Sequence, residues 1–465
     1  MYKLLPFYFT KIAGKEILVN ELGDMLILPY GSVNEIVEKK ICVTSEIYKT
    51  LHANFFISDD LLHPLFEVYA SRLMAKKRNL TTRASLHIFV LTLRCNQNCS
   101  YCQASSRDID SCSVSMSKQT MDKAIDLMFL SDSENLTMEF QGGEPSLEFD
   151  LFKYGVRRAT SINTQKKKTL SFVLCTNCIC ITEDLLAFCK EYSVQISSSL
   201  DGPQELHDKN RGIFGSYQKV ISGFKQVRQY LGSNALSALM TTSIDSLRFP
   251  KEIIDEYVKQ GFSGIFIRSL NPYGKALEGI NWDYYTEKFI EFYKKSLDYI
   301  ISINEKGTFF KEEFATIILR KILTSSDGAF VDLLSPSGII NSVIVYNYDG
   351  NVYCSDESRM LAEMGDNSFL LGSVNDAYKS LIYGDKAKQI AKVWSNECLA
   401  GCSDCAFKTY CGADPVRNYS TQGDMYGNRP SSNWCKKNKA IISYLIELII
   451  KEPQKVLPIF RNWII

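Results

Sequence analysis

Three cysteines, Cys95, Cys99 and Cys102, stand at C-x3-C-x2-C spacing in the run Arg94-Cys95-Asn96-Gln97-Asn98-Cys99-Ser100-Tyr101-Cys102. Three thiolates on one loop can hold three corners of a cubane iron–sulfur cluster and leave the fourth iron open to a small molecule. A zinc loop is the other chemistry such thiolates support, but structural zinc takes four protein ligands and no fourth is adjacent. A second group follows far downstream, Cys402-x2-Cys405-x5-Cys411 with Cys435 beyond. Four thiolates from one compact segment suit a closed cluster for electron transfer or a zinc knuckle, and spacing alone serves both. Cys354 and Cys398 remain as ligands for a further auxiliary cluster, but two more ligands for it are not evident.

Other groups could face the first cysteine loop. In Gln141-Gly142-Gly143-Glu144-Pro145 the glycines let backbone approach a ligand closely, and Glu144 offers an acceptor for an ammonium group. Ser199-Leu200-Asp201-Gly202-Pro203 brings a hydroxyl and a carboxylate, and Arg211 a guanidinium. Asp356 and Glu357, just after Cys354, are the candidate acid–base groups. Cys175, Cys178 and Cys180 straddle the end of an apolar strand and read as small hydrophobes, as do Cys42, Cys112 and Cys189. Histidines 52, 63, 87 and 207 form no cluster, and His207 reads as shaping the loop before Arg211.

These groups meet only if they sit at one end of successive strands. The apolar runs Leu86 to Leu93, Leu136 to Phe140, Leu170 to Leu174, Val194 to Leu200, Ser237 to Thr242 and Gly264 to Leu270 read as strands. Helical spacing marks Ser117 to Leu130, Thr182 to Tyr192 and Pro250 to Gln260. Six such units predict an α/β fold, a partial (β/α)6 barrel of TIM type over residues 86–325, with its chemistry on the loops after the strands. A small N-terminal α+β module covers 1–75, with a hairpin from Ile17 to Asn20 and Met25 to Leu28. Residues 340–440 form a Cys-rich auxiliary domain, and 441–465 a helical tail.

Fifty-three basic against fifty-two acidic residues leave a net charge of +1, which gives no electrostatic case for nucleic acid. No run approaches the ~20 apolar residues of a membrane span. Residues Met1 to Pro6 lack the features of a signal peptide. The expected location is the cytoplasm, where fifteen cysteines in a long chain point to metal or redox work rather than a disulfide framework.

The cysteine triad with Tyr101, the Gly-Gly-Glu-Pro stretch and Ser199 to Gly202 resemble the radical S-adenosylmethionine (SAM) superfamily. The resemblance implies that Cys95, Cys99 and Cys102 hold a [4Fe–4S] cluster whose open iron takes SAM, giving a 5′-deoxyadenosyl radical. It implies SAM contacts from Tyr101, Gly142, Gly143, Glu144, Ser199, Asp201, Arg211 and Leu270. Cys402, Cys405, Cys411 and Cys435 resemble the auxiliary [4Fe–4S] domain of the SPASM/twitch type, although Pro415 stands where that pattern has another cysteine. The N-terminal module resembles the winged-helix-like peptide-binding domain of peptide-modifying enzymes. The stretches Ala238 to Thr242 and Cys411 to Tyr419 are similar to the maturases of the His-Xaa-Ser repeat system (HxsB type). That implies a precursor peptide as substrate, a second radical SAM maturase as partner, and an electron donor such as flavodoxin or ferredoxin.

Overall fold

The computed structural model describes residues 2–60, 64–77, 84–324 and 333–465. At the N-terminus three strands, β1 (Phe7–Ile12), β2 (Lys15–Asn20) and β3 (Met25–Leu28), form an antiparallel sheet with β2 at its centre. Helices α1 (Ser32–Val37) and α2 (Glu46–Ala53) pack Val33, Ile36, Tyr48 and Leu51 against Leu18 and Leu28 from that sheet. The expected hairpin is thus present. The additional strand β1 has exposed and half-buried positions in turn, too little apolar contrast to stand out in the sequence.

Beyond helix α3 (Pro64–Lys76) the main sheet begins. Its strands are β4 (Leu86–Thr92), β5 (Asn135–Gly142), β6 (Thr169–Cys175), β7 (Gln195–Ser199), β8 (Leu236–Thr242) and β9 (Ile267–Ser269), hydrogen-bonded in that order and all parallel. Strand β4 is buried along nearly its whole length, as a parallel strand covered on both faces must be. Its outward residues Phe89 and Leu91 share a core with Phe140, Phe152 and Met121. Helices α4 (Lys118–Met128), α5 (Phe149–Lys166), α6 (Glu183–Glu191), α7 (Gln204–Arg211), α8 (Ser216–Leu231) and α9 (Pro250–Lys259) follow the first five strands. Local capping fixes where several begin: Ser117 accepts from the Thr120 amide and Thr182 from the Leu185 amide.

The sixth expected strand, Gly264 to Leu270, is split. Its first part, Gly264–Ile265, pairs with Lys311–Glu312, and only β9 joins β8. The cause is Glu312, whose carboxylate accepts from the Ile267 amide at 3.0 Å and from the Ala315 amide at 2.6 Å. A seventh parallel strand, β10 (Val343–Tyr346), adds to the other edge of β4, continued antiparallel by β11 (Asn351–Tyr353) and β12 (Leu370–Ser373). The auxiliary segment is therefore continuous with the barrel sheet. Helices α10 (Trp282–Glu305) and α11 (Glu313–Leu323) lead into it, and α12 (Asp356–Glu363) follows β11. The helical tail spans Asn433–Lys451 and Pro453–Ile464, packed on α10 and α11. No helix among the described residues is long and apolar enough to cross a membrane.

The N-terminal sheet reaches the auxiliary segment through its β2–β3 turn. Lys408, almost fully buried, donates to Glu21 at 2.9 Å and to the Tyr8 hydroxyl at 2.8 Å, and lies over the Tyr8 ring. Tyr410 donates to the Gly23 carbonyl at 2.9 Å. Removing one partner of a buried ion pair strands the other charge. Lys408→Ala is expected to destabilise the protein by roughly 2–4 kcal/mol, seen as an earlier urea midpoint, with Lys408→Arg losing less.

Candidate active site: a cysteine loop at the mouth of the barrel

Strand β4 delivers its chain to the open end of the barrel, where the cysteine loop folds against three neighbours. The Cys95 amide donates to the Arg107 carbonyl at 2.9 Å. The Asn98 and Ser100 amides donate to the carbonyls of Arg211 and Asn210 at the end of α7. Tyr101 donates its hydroxyl to Asp201 at 2.6 Å, and Arg211 makes a two-point pair with the same carboxylate, both contacts 2.9 Å. Burial works to raise Asp201, but the guanidinium beside it, with the Tyr101 hydroxyl, overrides this and holds the carboxyl below its ordinary value. His207, neutral because burial lowers it to about 4, accepts from the Asp201 amide and shapes this loop.

The Gly-Gly pair after β5 lies across the same loop. The Gly143 and Glu144 amides donate to the Thr92 and Arg94 carbonyls at 2.8 and 2.7 Å. A Cβ at Gly142, where φ is +143°, would come within 2.0 Å of the Thr92 oxygen, and one at Gly143 within 2.3 Å of the Arg94 oxygen. Only glycine permits that approach.

These contacts bring Cys95, Cys99, Cys102, Tyr101, Gly142, Gly143, Ser199 and Arg211 to one cavity of about 270 Å3, with Asp356 in its wall. Burial pushes the Cys95 thiol up to about 12 and raises Cys99, the latter opposed by Arg211. Thiolates in such a place need a compensating cation, which iron supplies on binding. Among the described residues no three His, Cys, Asp or Glu side chains close on a single ion position.

Three expected residues lie behind the cavity. Glu144 is buried and its carboxylate accepts from Thr176 and the Asn177 amide, both at 2.7 Å, and from the Ser146 amide at 3.0 Å. It ties the loops after β5 and β6 together rather than facing an ammonium group. Asp201 acts through Tyr101 and Arg211. Leu270 is buried, its amide donating to Tyr285 at 2.8 Å.

Below the cysteine cavity the barrel lumen opens to about 380 Å3, its wall mixing polar side chains such as Glu139, Gln141, Ser197 and Glu357 with apolar Ile88, Val173, Leu239 and Val343. Gln141, Cys175, Ser197, Leu239, Arg268 and Asp356 border both spaces. Cys175 is thus a wall residue of the site, which an apolar-strand reading missed; its inward parity with Glu139 and Gln141 was the available signal. Cys178 and Cys189 are buried, whereas Cys42, Cys112 and Cys180 are exposed because each sits on a turn or loop, not in an element. His63 lies outside the described residues.

The downstream thiols also gather. Burial pushes Cys411 up to about 12, with Cys402, Cys405 and Cys435 adding to the cost. Asn438 and Arg429 direct N–H groups at the sulfurs of Cys411 and Cys402 at 3.5 and 3.6 Å. Such donors stabilise cluster-bound sulfur. Cys354 is fully buried and Cys398 exposed, and among the described residues no third ligand joins them at an ion position.

Residues 89–245 match the radical SAM superfamily. A cysteine-type anaerobic sulfatase-maturating enzyme of Clostridium novyi is 26% identical over 271 residues, covering 56% of this chain and 70% of that protein. A solved structure of native anSMEcpe with bound AdoMet and the Cp18Cys peptide superposes with a TM-score of 0.64 at 18% identity, over 81% of this chain and 99% of that one. Streptococcus suis SuiB bound to precursor peptide SuiA gives 0.53 at 14% identity, over 93% and 99%. The α/β fold of this chain, with its parallel sheet and Cys-rich C-terminal region, is similar to that of these structures.

Arg211→Ala would leave Asp201 buried and unpaired under the cysteine loop. A loss of roughly 3–5 kcal/mol is expected by denaturant titration, and Asp201→Asn in the same chain should recover part of it.

Proposed function

We propose that this chain is a cytoplasmic radical SAM maturase that modifies a ribosomally made peptide. The observation that carries the reading is the continuity of the cysteine-lined cavity with a lumen of about 380 Å3, walled by both polar and apolar side chains and large enough for a peptide side chain. Cys95, Cys99 and Cys102 would hold a [4Fe–4S] cluster, and Cys402, Cys405, Cys411 and Cys435 an auxiliary one. Bound at the open iron, SAM supplies a 5′-deoxyadenosyl radical able to take a hydrogen atom from the substrate. The chain's own part is placement. Gly142 and Gly143 present backbone, Ser199 a hydroxyl and Arg211 its remaining N–H groups to SAM, while Tyr101 and Asp201 hold the loop. Asp356, in the wall of both spaces, is the candidate acid–base group, with Glu357 beside it in the lumen.

The finer reading is a His-Xaa-Ser repeat precursor, supported by the stretches Ala238 to Thr242 and Cys411 to Tyr419. The N-terminal module would bind that peptide, a second radical SAM maturase would act alongside, and a flavodoxin or ferredoxin would donate electrons. A sulfatase-maturase activity is the second reading, favoured by the name of the Clostridium novyi relative. Co-expression with a His-Xaa-Ser repeat peptide, followed by peptide mass and residue stereochemistry, tests the first; an unmodified peptide together with a modified sulfatase would establish the second.

Replacing Cys95, Cys99 and Cys102 together by alanine should abolish deoxyadenosine formation while auxiliary-cluster absorbance remains. Cys405→Ala should still form deoxyadenosine, because a fully ligated cluster offers no vacancy for SAM, but lose modified peptide. A product-to-deoxyadenosine ratio equal to wild type would make a structural zinc site the better account of the four downstream cysteines.

A further inference from the structure

The N-terminal sheet rests on the chain that carries the downstream cysteines. Its β2–β3 turn is held from within: buried Asn20 accepts from the Leu22 and Asp24 amides at 2.9 and 3.0 Å and donates to the Asn54 carbonyl at 2.8 Å. That turn meets the segment between Cys405 and Cys411, where Lys408 reaches Glu21 and Tyr8, and Tyr410 reaches the Gly23 carbonyl. Lys408 stands three residues from each of these cysteines, and its ammonium also donates to the Ser403 carbonyl at 3.2 Å. From the inner side, buried Asn396 donates to the carbonyls of Lys408 and Cys411, both at 3.0 Å. The helix Asn433–Lys451, with Cys435 in its first turn, packs on β1. Both segments that supply the four thiols therefore also bear the module.

Residues 399–411 form neither helix nor strand; successive turns hold them, the Cys405 amide donating to the Cys402 carbonyl and the Tyr410 and Cys411 amides to the Phe407 carbonyl, each at 3.0 Å. A segment of this kind takes its order from what gathers its thiols, because metal-binding free energy is then the free energy of folding it. We propose that metal at Cys402, Cys405, Cys411 and Cys435 sets the N-terminal module in place, with Lys408 and Tyr410 as the positioning residues that carry the linkage. The proposal rests on the peptide-binding reading of the module given above. Linkage is reciprocal, so what metal contributes to docking, docking returns as metal affinity. The stiff turn at Asn20 passes a shift of Lys408 or Tyr410 into the sheet rather than absorbing it. The downstream site thus serves peptide placement, apart from any electron it carries.

The first measurement needs no peptide. The full chain, with Cys95, Cys99 and Cys102 replaced by alanine so that all bound iron belongs to the downstream site, is reconstituted with iron and sulfide and compared with the same protein stripped by chelator. Metal should slow amide hydrogen exchange across residues 15–28 roughly tenfold. Tyr410→Phe, which removes one hydrogen bond and no charge, should lose much of that protection and release iron to a chelator roughly 2–10-fold faster. Lys408→Met combined with Glu21→Gln, which strands no charge, should do the same. In the chain with its first three cysteines intact, both variants should raise KM for a His-Xaa-Ser repeat peptide and leave kcat in place. Exchange across residues 15–28 that ignores metal, iron release unchanged in both variants, or a fall in kcat at constant KM would overturn the proposal. A wild type that forms no deoxyadenosine under dithionite, or leaves the peptide unmodified, would instead sink the function proposed above, and the peptide-free measurement would still decide whether metal seats the module.

Discussion

The carboxylate of Asp201 is the fixed point on which the site depends. It lies fully buried at the end of β7, where an isolated charge would cost several kcal/mol, and it is ionised only because Arg211 meets it with two N–H groups. Satisfying that charge fixes the end of α7, whose last carbonyls then receive the Asn98 and Ser100 amides of the cysteine loop. Tyr101 adds the third donor from within the loop. Three thiols are thereby positioned from a segment that contributes no regular structure of its own. Gly212 completes the fit, since a Cβ there would meet the Asn98 carbonyl at 2.3 Å.

Closure of the site comes from the far end of the chain. In α12, Arg359 is almost wholly buried, bonded to Asp356 at 3.0 Å and to the Ala104 carbonyl beyond the cysteine loop at 3.2 Å. Arg417 donates to Asn271, just after β9, at 2.6 Å. Guanidinium groups suit this task because one fork can join two elements while keeping its charge when buried. Movement of the auxiliary segment would thus be felt at Asp356 and at the last barrel strand, both of which border the lumen.

Local features were legible in the sequence and long-range partnerships were not. Strands β4 to β8 emerge within about two residues of their apolar runs, because β4 is buried along its length and β5 to β8 alternate core-facing with lumen-facing positions. The cysteine groups stand out because ligand spacing is itself local. The break before β9 was hidden, since it is caused by Glu312, forty-five residues downstream of the Ile267 amide it accepts from. Glu144 shows the same limit: its type and its glycine neighbours suggested a ligand contact, and only the fold reveals that Thr176 and Asn177 have already claimed its oxygens. Cys175 was misjudged for a related reason. An apolar neighbourhood along the strand says nothing about which face opens on a cavity until parity is set by pairing with Ser197.

Charged groups set into a partly apolar wall constrain what can enter the lumen. Glu139, Asp356 and Glu357 contribute carboxyls, while Arg268 stands 3.9 Å from Glu357 and Arg359 pairs with Asp356. Burial raises Glu139, with Asp356 opposing its ionisation, while the charged pairs lie toward α12. A hydrocarbon side chain would leave these groups desolvated and unmatched, a cost of about 1–3 kcal/mol for each one stranded. A side chain with N–H or O–H donors replaces the lost water directly. A polar group entering the lumen thus meets partners among these side chains that a hydrocarbon would not.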